Sequence, residues 1–365
     1  MRTVPARQRG EVMRKQFGIG GKASRCTCVA MAAAALCASA RAQDVVTFAS
    51  YGGEYQKNIV KALIGPAASA AGVGFRQETH DGLAPVRLQV RSGRPAWDLV
   101  QLGTTECSIG SAEGLFEAVD YRQVSKDGLP ADATSRDWVG TNYISVVLAY
   151  RTDKYRDRPP QTWADFWNTA KFPGRRALEG TPEETMEIAL LADGVAPDKL
   201  YPLDQSRALA ALKRIRPQVV AWWTSGAQVT QLLRDGEADM VQIWGSRVPP
   251  LIRDGAPVAY TYNGALLTYS CMAIPKGARH AAAAQRLLAH IVSPAVQANL
   301  ITVMPYYGPV NTRVFERGNY TAAQLAETNS APGNRAKQVV LDPGYWSRPG
   351  LQQKASLALR ALISE

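Results

Sequence analysis

The sequence predicts an α/β protein made of two lobes, and three observations support this fold class. The chain has 365 residues, of which 46% are hydrophobic and 20% charged, so it can bury more than one core. Short β-branched runs alternate with helical patterns, which is typical of parallel βαβ units. A polar, proline-rich stretch, residues 153–160, interrupts this alternation in mid-chain, and we expect the chain to cross between lobes there.

The first predicted lobe begins with a strand at residues 45–50, followed by a Gly-Gly turn and a helix. Residues 73–78 and 97–102 form two further predicted strands, with a helix at 83–91 between them. An apolar strand at 143–150 then leads to the crossing.

In the second predicted lobe, Thr162 caps a helix, and Asp165 completes an approximate capping box. Residues 181–184 open another helix, with Pro182 at its first position and two glutamates in its first turn. The remaining predicted elements are helices near 209–215, 228–233 and 281–291, strands at 240–244, 258–262 and 267–274, and a helix starting at Ser293-Pro294.

The domain organisation follows from these elements. We expect residues 43–149 to form the first part of lobe 1, residues 150–268 to form lobe 2, and residues 269–365 to return to lobe 1. Whether the C-terminal helices pack on lobe 1 or cross to lobe 2 is left open.

Residues 1–42 are predicted to be a signal peptide. Basic residues precede an alanine-rich run, and the small-x-small site Ala40-Arg41-Ala42 follows it. The alanine-rich run has thirteen residues and is too short for a transmembrane helix, because a membrane span needs about 20. This predicts a periplasmic protein, with Met13 as an alternative start.

The charge and the titratable residues exclude several classes of protein. Eight basic residues and one acid leave with the signal peptide, so the net charge falls from +11 to +4, and no basic stripe for nucleic acid remains. His80, His280 and His290 have no zinc-site spacing, and no Gly-x-Ser-x-Gly elbow occurs. We therefore expect no metal, no cofactor and no catalytic residues.

Two cysteines, Cys107 and Cys271, remain in the mature chain. We expect them as two buried thiols in separate elements, because a core of this size needs no disulfide. A bond between them is the alternative in an oxidising compartment.

Several motifs, in order along the mature chain, resemble the spermidine/putrescine-binding components of ABC importers. They are Ser50-Tyr51-Gly52-Gly53-Glu54-Tyr55, Trp97-Asp98-Leu99-Val100, Gln161-Thr162-Trp163-Ala164-Asp165-Phe166-Trp167, Ser225-Gly226-Ala227-Gln228 and Ala273-Ile274-Pro275-Lys276-Gly277. The resemblance implies a type II periplasmic-binding fold, whose lobes close about a hinge on a small solute in the cleft between them. It further implies a monomer that passes the solute to a membrane permease driven by a separate ATPase.

Candidate site residues in lobe 1 follow predicted strands. Tyr51, Gly52 and Gly53 follow the first strand, and Gly103, Thr104 and Thr105 follow the third. Open α/β sheets bind ligands at the carboxyl ends of their strands, where glycines let a ligand approach the backbone.

Further candidates come from the resemblance and from side-chain chemistry. The resemblance implies that Glu184 receives an amino group, that Trp244 and Tyr307 line the cleft, and that polyamine-binding relatives carry an aspartate at the position of Ser270 and often another at Thr268. Here both positions are neutral. The remaining candidates are Trp223 as an aromatic face, Arg247 as a planar fork for a carboxylate, and Tyr269 beside Ser270.

These residues leave more than one ligand class open. The leading hypothesis is a polyamine-like or other amine-bearing compound. Since a buried dication needs an acid at each end, the neutral pair at 268 and 270 favours a solute with fewer positive charges, zwitterionic or anionic. Three further hypotheses stay open: ferric iron bound at Tyr306-Tyr307, a secreted enzyme that uses His80, and an adhesion or signalling partner.

Overall fold

The computed structural model describes residues 44–365, and the predicted signal peptide lies outside them. Within this range the strands form one mixed sheet in the order β2-β1-β3-β8-β4-β7-β5-β6, with β9 beside β8. The strands are β1 (Val45–Ser50), β2 (Gly74–Thr79), β3 (Leu99–Gly103), β4 (Trp138–Arg151), β5 (Arg176–Glu179), β6 (Val219–Trp223), β7 (Met240–Trp244), β8 (Val258–Ala273) and β9 (Val339–Val340).

Helices cover the sheet. They are α1 (Gly53–Ile59), which continues through a π-helical turn (Val60–Ile64) into α2 (Gly65–Ala71), α3 (Leu83–Arg91), α4 (Thr104–Ala112), α5 (Trp163–Trp167), α6 (Thr185–Ala192), α7 (Gln205–Ile215), α8 (Gly226–Arg234), α9 (Val248–Arg253), α10 (Ala281–Ile291), α11 (Pro294–Gln297), α12 (Asn299–Val303), α13 (Val314–Arg317), α14 (Ala322–Glu327), α15 (Pro332–Arg335), α16 (Pro343–Trp346) and α17 (Leu351–Ser364). Among the described residues, no helix combines the length and the apolar character that crossing a membrane requires.

Two long strands, β4 and β8, pair antiparallel with each other and connect the two parts of the sheet in which the strands are parallel. β1 pairs in parallel with β2 and β3, and β5 pairs in parallel with β6 and β7. β4 and β8 have 14 and 16 residues and pair along most of their length. The two predicted strands at 258–262 and 267–274 thus form one strand, Val258–Ala273, whose pairing with β4 shifts register between Thr261 and Leu266.

The hydrophobic core lies in clusters at two halves of the sheet, which we call the first side and the second side. The boundary between them falls within these two strands. On one side Phe48 and Leu288 belong to a cluster that includes β1, α2 and α10, and on the other Leu212 belongs to a cluster that includes α6 and α7. Along β4, Tyr143 belongs to the first side and Val146 to the second. This change lies a few residues before the expected limit at 149.

The C-terminal helix packs on the second side. Ala355, Leu359 and Leu362 of α17 are buried in the same cluster as Leu212 of α7. This helix therefore shares its core cluster with α7 and not with β1 and α10.

The expectation of two separate thiols was wrong, because Cys107 and Cys271 are bonded to each other. β8 pairs with β3 so that Cys271 lies opposite Leu102, and α4 begins directly after β3. This register brings Cys107 over β8, with the two Cα atoms 6.6 Å apart. The disulfide therefore ties α4 to the strand that joins the two sides.

Candidate functional site

A cleft with a volume of about 830 Å³ opens between the two sides of the sheet. It lies where β1, β3 and β7 reach their carboxyl ends, the position expected for a ligand in an open α/β sheet. The predicted residues that line it are Tyr51, Gly52, Gly53, Gly103, Thr104, Thr105, Glu184, Trp244, Arg247, Tyr269, Ser270 and Tyr307. Whether they bind a ligand stays a prediction.

At the ends of β1 and β3, the Glu106 carboxylate accepts hydrogen bonds from three groups beside the cleft. Its Oε2 accepts from the Tyr51 hydroxyl at 2.5 Å and from the Gly103 amide at 3.1 Å, and its Oε1 accepts from the Leu83 amide at 3.0 Å. Burial, reinforced by the Glu106 charge, raises the pKa of Tyr51. Glu106 was not among the predicted residues, although an acid three residues after the helix N-cap is a capping-box signal.

A row of tyrosines continues from Tyr51 across the cleft. The ring centroid of Tyr55 lies 6.4 Å from that of Tyr51 and 5.0 Å from that of Tyr307. The Tyr55 and Ser270 hydroxyls are hydrogen-bonded at 3.0 Å. Tyr55 was also missed; it lies in the first turn of α1, four residues after Tyr51.

Tyr269 is among the residues that line the cleft, but it is almost fully buried. Its ring packs against Trp138 and Tyr143, at centroid distances of 5.9 and 6.1 Å, and its hydroxyl donates to the Asp132 carbonyl. The Thr104 hydroxyl donates to the Tyr269 carbonyl. We therefore correct the prediction for Tyr269: its ring is a core group.

On the β5 and β7 side, Glu184 occupies a strained turn. Its φ and ψ are 69° and −46°, and the Thr185 amide donates to the Glu183 carbonyl at 2.8 Å, which closes a γ-turn around it. Among residues 44–365 it is the only non-glycine with positive φ. Such strain costs about 1–3 kcal/mol and concentrates at functional sites.

The prediction that the helix starts at Pro182 was wrong. α6 begins at Thr185, because a residue with positive φ cannot lie in a right-handed helix. The glutamates at 183 and 184 consequently precede the helix and turn toward the cleft.

Glu184 has an unsatisfied carboxylate oxygen. Its Oε2 is buried and has no hydrogen-bond partner among the described residues. Burial raises the pKa of Glu184, and the charges of Glu179, Glu183 and Glu187 raise it further. Within residues 44–365 none of these four carboxyls forms a salt bridge.

The Glu183 carboxylate connects the two sides of the cleft through hydrogen bonds. Its carboxylate accepts from the Thr105 hydroxyl across the cleft, and from Gln352 of α17 at 3.5 Å. Only the tertiary fold brings these groups together.

The two candidate tryptophans have different environments. Trp244 ends β7 and lines the cleft. Trp223 is fully buried, its indole nitrogen donates to the Gln242 carbonyl at 3.0 Å, and its ring stands 5.4 Å from that of Trp244. The structure thus corrects the prediction for Trp223, which packs behind Trp244 and does not reach the cleft.

Arg247 is exposed at the cleft and, within the part of the chain that the structure describes, forms no salt bridge. Its guanidinium lies over Gly226, where a Cβ atom would stand 2.8 Å from Nε. Burial raises the pKa of Tyr307, while Ser246 and Arg247 act in the opposite direction. The guanidinium is available to an anionic group.

His80 uses both ring nitrogens in backbone contacts. Nε2 lies 2.9 Å from the Gln101 carbonyl, and Nδ1 accepts from the Gly82 amide at 3.1 Å. Burial lowers its pKa. The described residues contain no group of three or more His, Cys, Asp or Glu that could hold a metal ion.

Comparison with known proteins agrees with this architecture. The family model for bacterial extracellular solute-binding proteins matches residues 75–328. A gamma-aminobutyric acid-binding protein from Pseudomonas aeruginosa is 32% identical over 320 residues, 86% of this chain and 90% of that one.

Two solved structures are similar over the same length. An ABC transporter substrate-binding protein from Bradyrhizobium japonicum is 39% identical, with a TM-score of 0.83, and covers 88% of this chain and 100% of its own. The PBP MotA from A. tumefaciens B6, solved with glucopine, is 37% identical, with a TM-score of 0.76 and the same coverage.

The two-lobed α/β fold class is confirmed, whereas the polyamine-specific subfamily is not. These relatives are solute-binding proteins and not enzymes. By the family match and by its similarity along nearly the whole described length, the chain belongs to the bacterial extracellular solute-binding protein family.

Proposed function

We propose that this protein is the periplasmic substrate-binding component of an ABC importer and captures a small amino-acid-like solute with one ammonium and one carboxylate. It acts as a monomer and delivers the solute to a permease driven by a separate ATPase. The names of its relatives support the proposal, since one binds gamma-aminobutyric acid and another was solved with glucopine.

The observation that carries the proposal is the buried, unpartnered Oε2 of Glu184. Leaving a buried acceptor without a donor is costly, and the cost is greater for a charged group. A ligand ammonium supplies both the missing hydrogen bond and the missing positive charge. The strained turn that aims Glu184 at the cleft is consistent with this role.

The other polar groups favour a zwitterion over a polyamine. Thr268 and Ser270 are neutral, and their hydroxyls already contact Thr104 and Tyr55. Arg247 adds a positive charge to the same cleft, which attracts a carboxylate and repels a second ammonium. A dication would therefore leave one charge unpaired.

The aromatic residues provide the apolar part of the site. Tyr51, Tyr55 and Tyr307 stand in one row, and Trp244 lies across from them on the end of β7. Aromatic faces of this kind enclose the aliphatic part of a solute. Closure of the two lobes on the solute follows from the additional contacts that the closed state offers.

Calorimetric titration with gamma-aminobutyric acid, putrescine and spermidine tests the proposal. We expect gamma-aminobutyric acid to bind more tightly than either polyamine. Glu184→Gln should weaken its binding about 30-fold, which corresponds to about 2 kcal/mol. Arg247→Gln should weaken gamma-aminobutyric acid but not putrescine, and Asp198→Asn, an exposed acid, should change neither.

Submicromolar binding of putrescine or spermidine that Glu184→Gln abolishes would overturn the choice of a zwitterion. Equal binding of gamma-aminobutyric acid by the wild type and the Glu184→Gln variant would overturn the role of Glu184.

A further inference from the structure

A hydrogen bond crosses the cleft from a side chain of the first side to a side chain of the second side. The Thr105 hydroxyl, in the first turn of α4, donates to Oε1 of Glu183, which lies just before α6. The two sides meet within β4 and β8, so a hinge motion there changes the distance between these two side chains. The hydrogen bond therefore exists only while the two sides are close together.

The residues around Thr105 are fixed to the first side. Thr104, directly before it, donates a hydrogen bond from its hydroxyl to the Tyr269 carbonyl. Cys107, two residues after it, is bonded to Cys271. Both partners belong to β8, so the start of α4 is anchored to this strand on either side of Thr105. The Thr105 hydroxyl is thus held in place and loses little conformational freedom when it meets Glu183.

On the second side, Gln352 of α17 holds Glu183. Its Nε2 donates to Oε2 of Glu183 at 3.5 Å, and α17 is buried in the same cluster as α6. Each oxygen of the Glu183 carboxylate thus has one donor, Thr105 at Oε1 and Gln352 at Oε2. The buried oxygen without a partner among the described residues belongs to Glu184 instead. Glu183 is therefore engaged by the protein and Glu184 is available to a solute.

The charge of Glu183 strengthens the bond across the cleft, because a hydroxyl donates more strongly to a carboxylate than to a neutral acceptor. Burial raises the pKa of Glu183, whereas the Thr105 hydrogen bond lowers it and so favours the ionised form. The carboxylate also lies beside the first turn of α4, a nine-residue helix whose dipole attracts negative charge there. The charge of Glu106, in the same turn, acts against it.

We propose that Thr105 and Glu183 form a latch that holds the two sides closed over the solute without contacting the solute. The proposal rests on the proposed function, and it makes Thr105 a positioning residue rather than a ligand-binding one. Because both partners belong to the protein, the latch adds the same free energy for every solute that the closed cleft accepts. It acts mainly on dissociation, since the bond must break before the sides separate.

Binding kinetics with gamma-aminobutyric acid test the latch. Thr105→Val removes the hydroxyl at nearly constant volume and should weaken binding about tenfold, mainly through faster dissociation. Thr105→Ser keeps the hydroxyl and should retain most of the affinity. Beta-alanine and 5-aminovalerate, with one methylene fewer and one more, should lose the same factor in Thr105→Val. A factor that changes with the length of the solute would indicate a direct contact and overturn the latch.

A double-mutant cycle tests whether Thr105 acts through Glu183. Glu183→Met is the partner variant, because a glutamine oxygen could still accept from Thr105. Removing this charge also changes the pKa of Glu184, and the cycle cancels that separate effect. Thr105→Val should weaken binding about tenfold when Glu183 is present and by less than about twofold in Glu183→Met.

Thr230→Val is the matched control for this cycle. Thr230 also lines the cleft, but its hydroxyl donates to the Gly226 carbonyl within its own helix at 2.6 Å. Its effect on affinity should be the same with Glu183 and with Met at that position. Equal effects of Thr105→Val in the two backgrounds would overturn the proposal. A thermal melt of each variant checks that it is folded.

A second measurement needs no solute. Spin labels on Lys61→Cys, exposed on the first side, and Asp198→Cys, exposed on the second, report the distance between the sides by double electron–electron resonance. Cys107 and Cys271 are bonded to each other, so only the introduced cysteines take labels. Without solute we expect a short and a long distance, and Thr105→Val should lower the ratio of short to long about tenfold.

The two measurements separate the latch from the proposed function. If none of the three amino acids binds while the short distance depends on Thr105, the proposed function is contradicted and the latch is supported. A labelled protein without a short distance, or with the same ratio in Thr105→Val, overturns the latch whichever solute binds.

Discussion

The two walls of the cleft satisfy their polar groups in different ways. We define the first wall as Tyr51, Tyr55 and residues 103–106, and the second wall as Glu183, Glu184, Trp244 and Arg247. In the first wall the Glu106 carboxylate, the Tyr51 hydroxyl and the Gly103 amide bond to one another. In the second wall the Oε2 of Glu184 has no partner, and Arg247 makes no salt bridge within residues 44–365.

This difference separates two tasks of a binding site. A wall whose hydrogen bonds are complete keeps its shape whether or not a ligand is present. A wall with unsatisfied charged groups gains free energy when a complementary ligand arrives. We therefore expect the first wall to set the shape of the cleft and the second wall to select the charge of the solute.

Removal of the disulfide should have the largest effect on stability. It closes a loop with a sequence separation of 164 residues and holds α4 of the first wall against β8. The Cys107→Ala/Cys271→Ala variant should lower the free energy of unfolding by about 2–5 kcal/mol in denaturant titrations. The wild type in reducing agent, which also lacks the bond, serves as the matched sample. Equal stability of the variant, the reduced wild type and the oxidised wild type would contradict the expectation.

Glu106→Gln should have the next largest effect. The side-chain NH2 of the introduced glutamine would face groups that are themselves donors, either the Tyr51 hydroxyl and the Gly103 amide or the Leu83 amide. Because at least one hydrogen bond is then lost, the free energy of unfolding should fall by about 1–3 kcal/mol. Preference for gamma-aminobutyric acid over putrescine should persist. A loss of that preference, with Asp198→Asn as the exposed control, would show that the first wall also selects charge.

Glu184→Gly should stabilise the fold relative to Glu184→Gln by about 1 kcal/mol, since glycine adopts positive φ without strain. Both variants lack the carboxylate and should bind gamma-aminobutyric acid equally weakly. Thermal unfolding of the pair makes the comparison, and a less stable glycine variant would argue against strain at this turn.

Gly226→Ala should have the smallest effect. A Cβ atom there would displace the Arg247 guanidinium, so affinity for gamma-aminobutyric acid should fall about threefold, or about 0.6 kcal/mol. Gly333→Ala is the control, because a Cβ at that position has nothing within 4 Å. Unchanged affinity in Gly226→Ala would mean that Arg247 adjusts without loss.

Local patterns predicted the elements that have strong periodicity or caps. β1, β7 and α10 occupy the predicted ranges, and Thr162 caps α5 as expected. β5 and β6 were not predicted, because β5 has four residues and β6 carries two tryptophans whose burial depends on their neighbours. The start of α6 was misplaced, because a local preference for Pro182 at a helix start says nothing about a strained turn two residues later.

Most candidate cleft residues could be found from the sequence because they follow strands. Tyr51 and Gly103 stand at or just beyond the ends of the parallel strands β1 and β3. Trp244 ends β7, which runs in the opposite direction and brings its carboxyl end to the same cleft from the other half of the sheet. Glu106, Tyr55 and Glu183 were missed because their role depends on contacts with distant residues. Trp223 was misplaced because an aromatic residue next to a strand end packs equally well inward or outward.

The sequence by itself determined the α/β class, the order of most elements and the strand ends that carry the site, because periodicity, caps and turns act over a few neighbouring residues. Only the tertiary structure decided that Cys107 meets Cys271, that α17 packs on the second side, and that the Oε2 of Glu184 is buried without a partner among the described residues. The register of β8 and burial of the acids bring these groups together, and both depend on residues far apart in the chain.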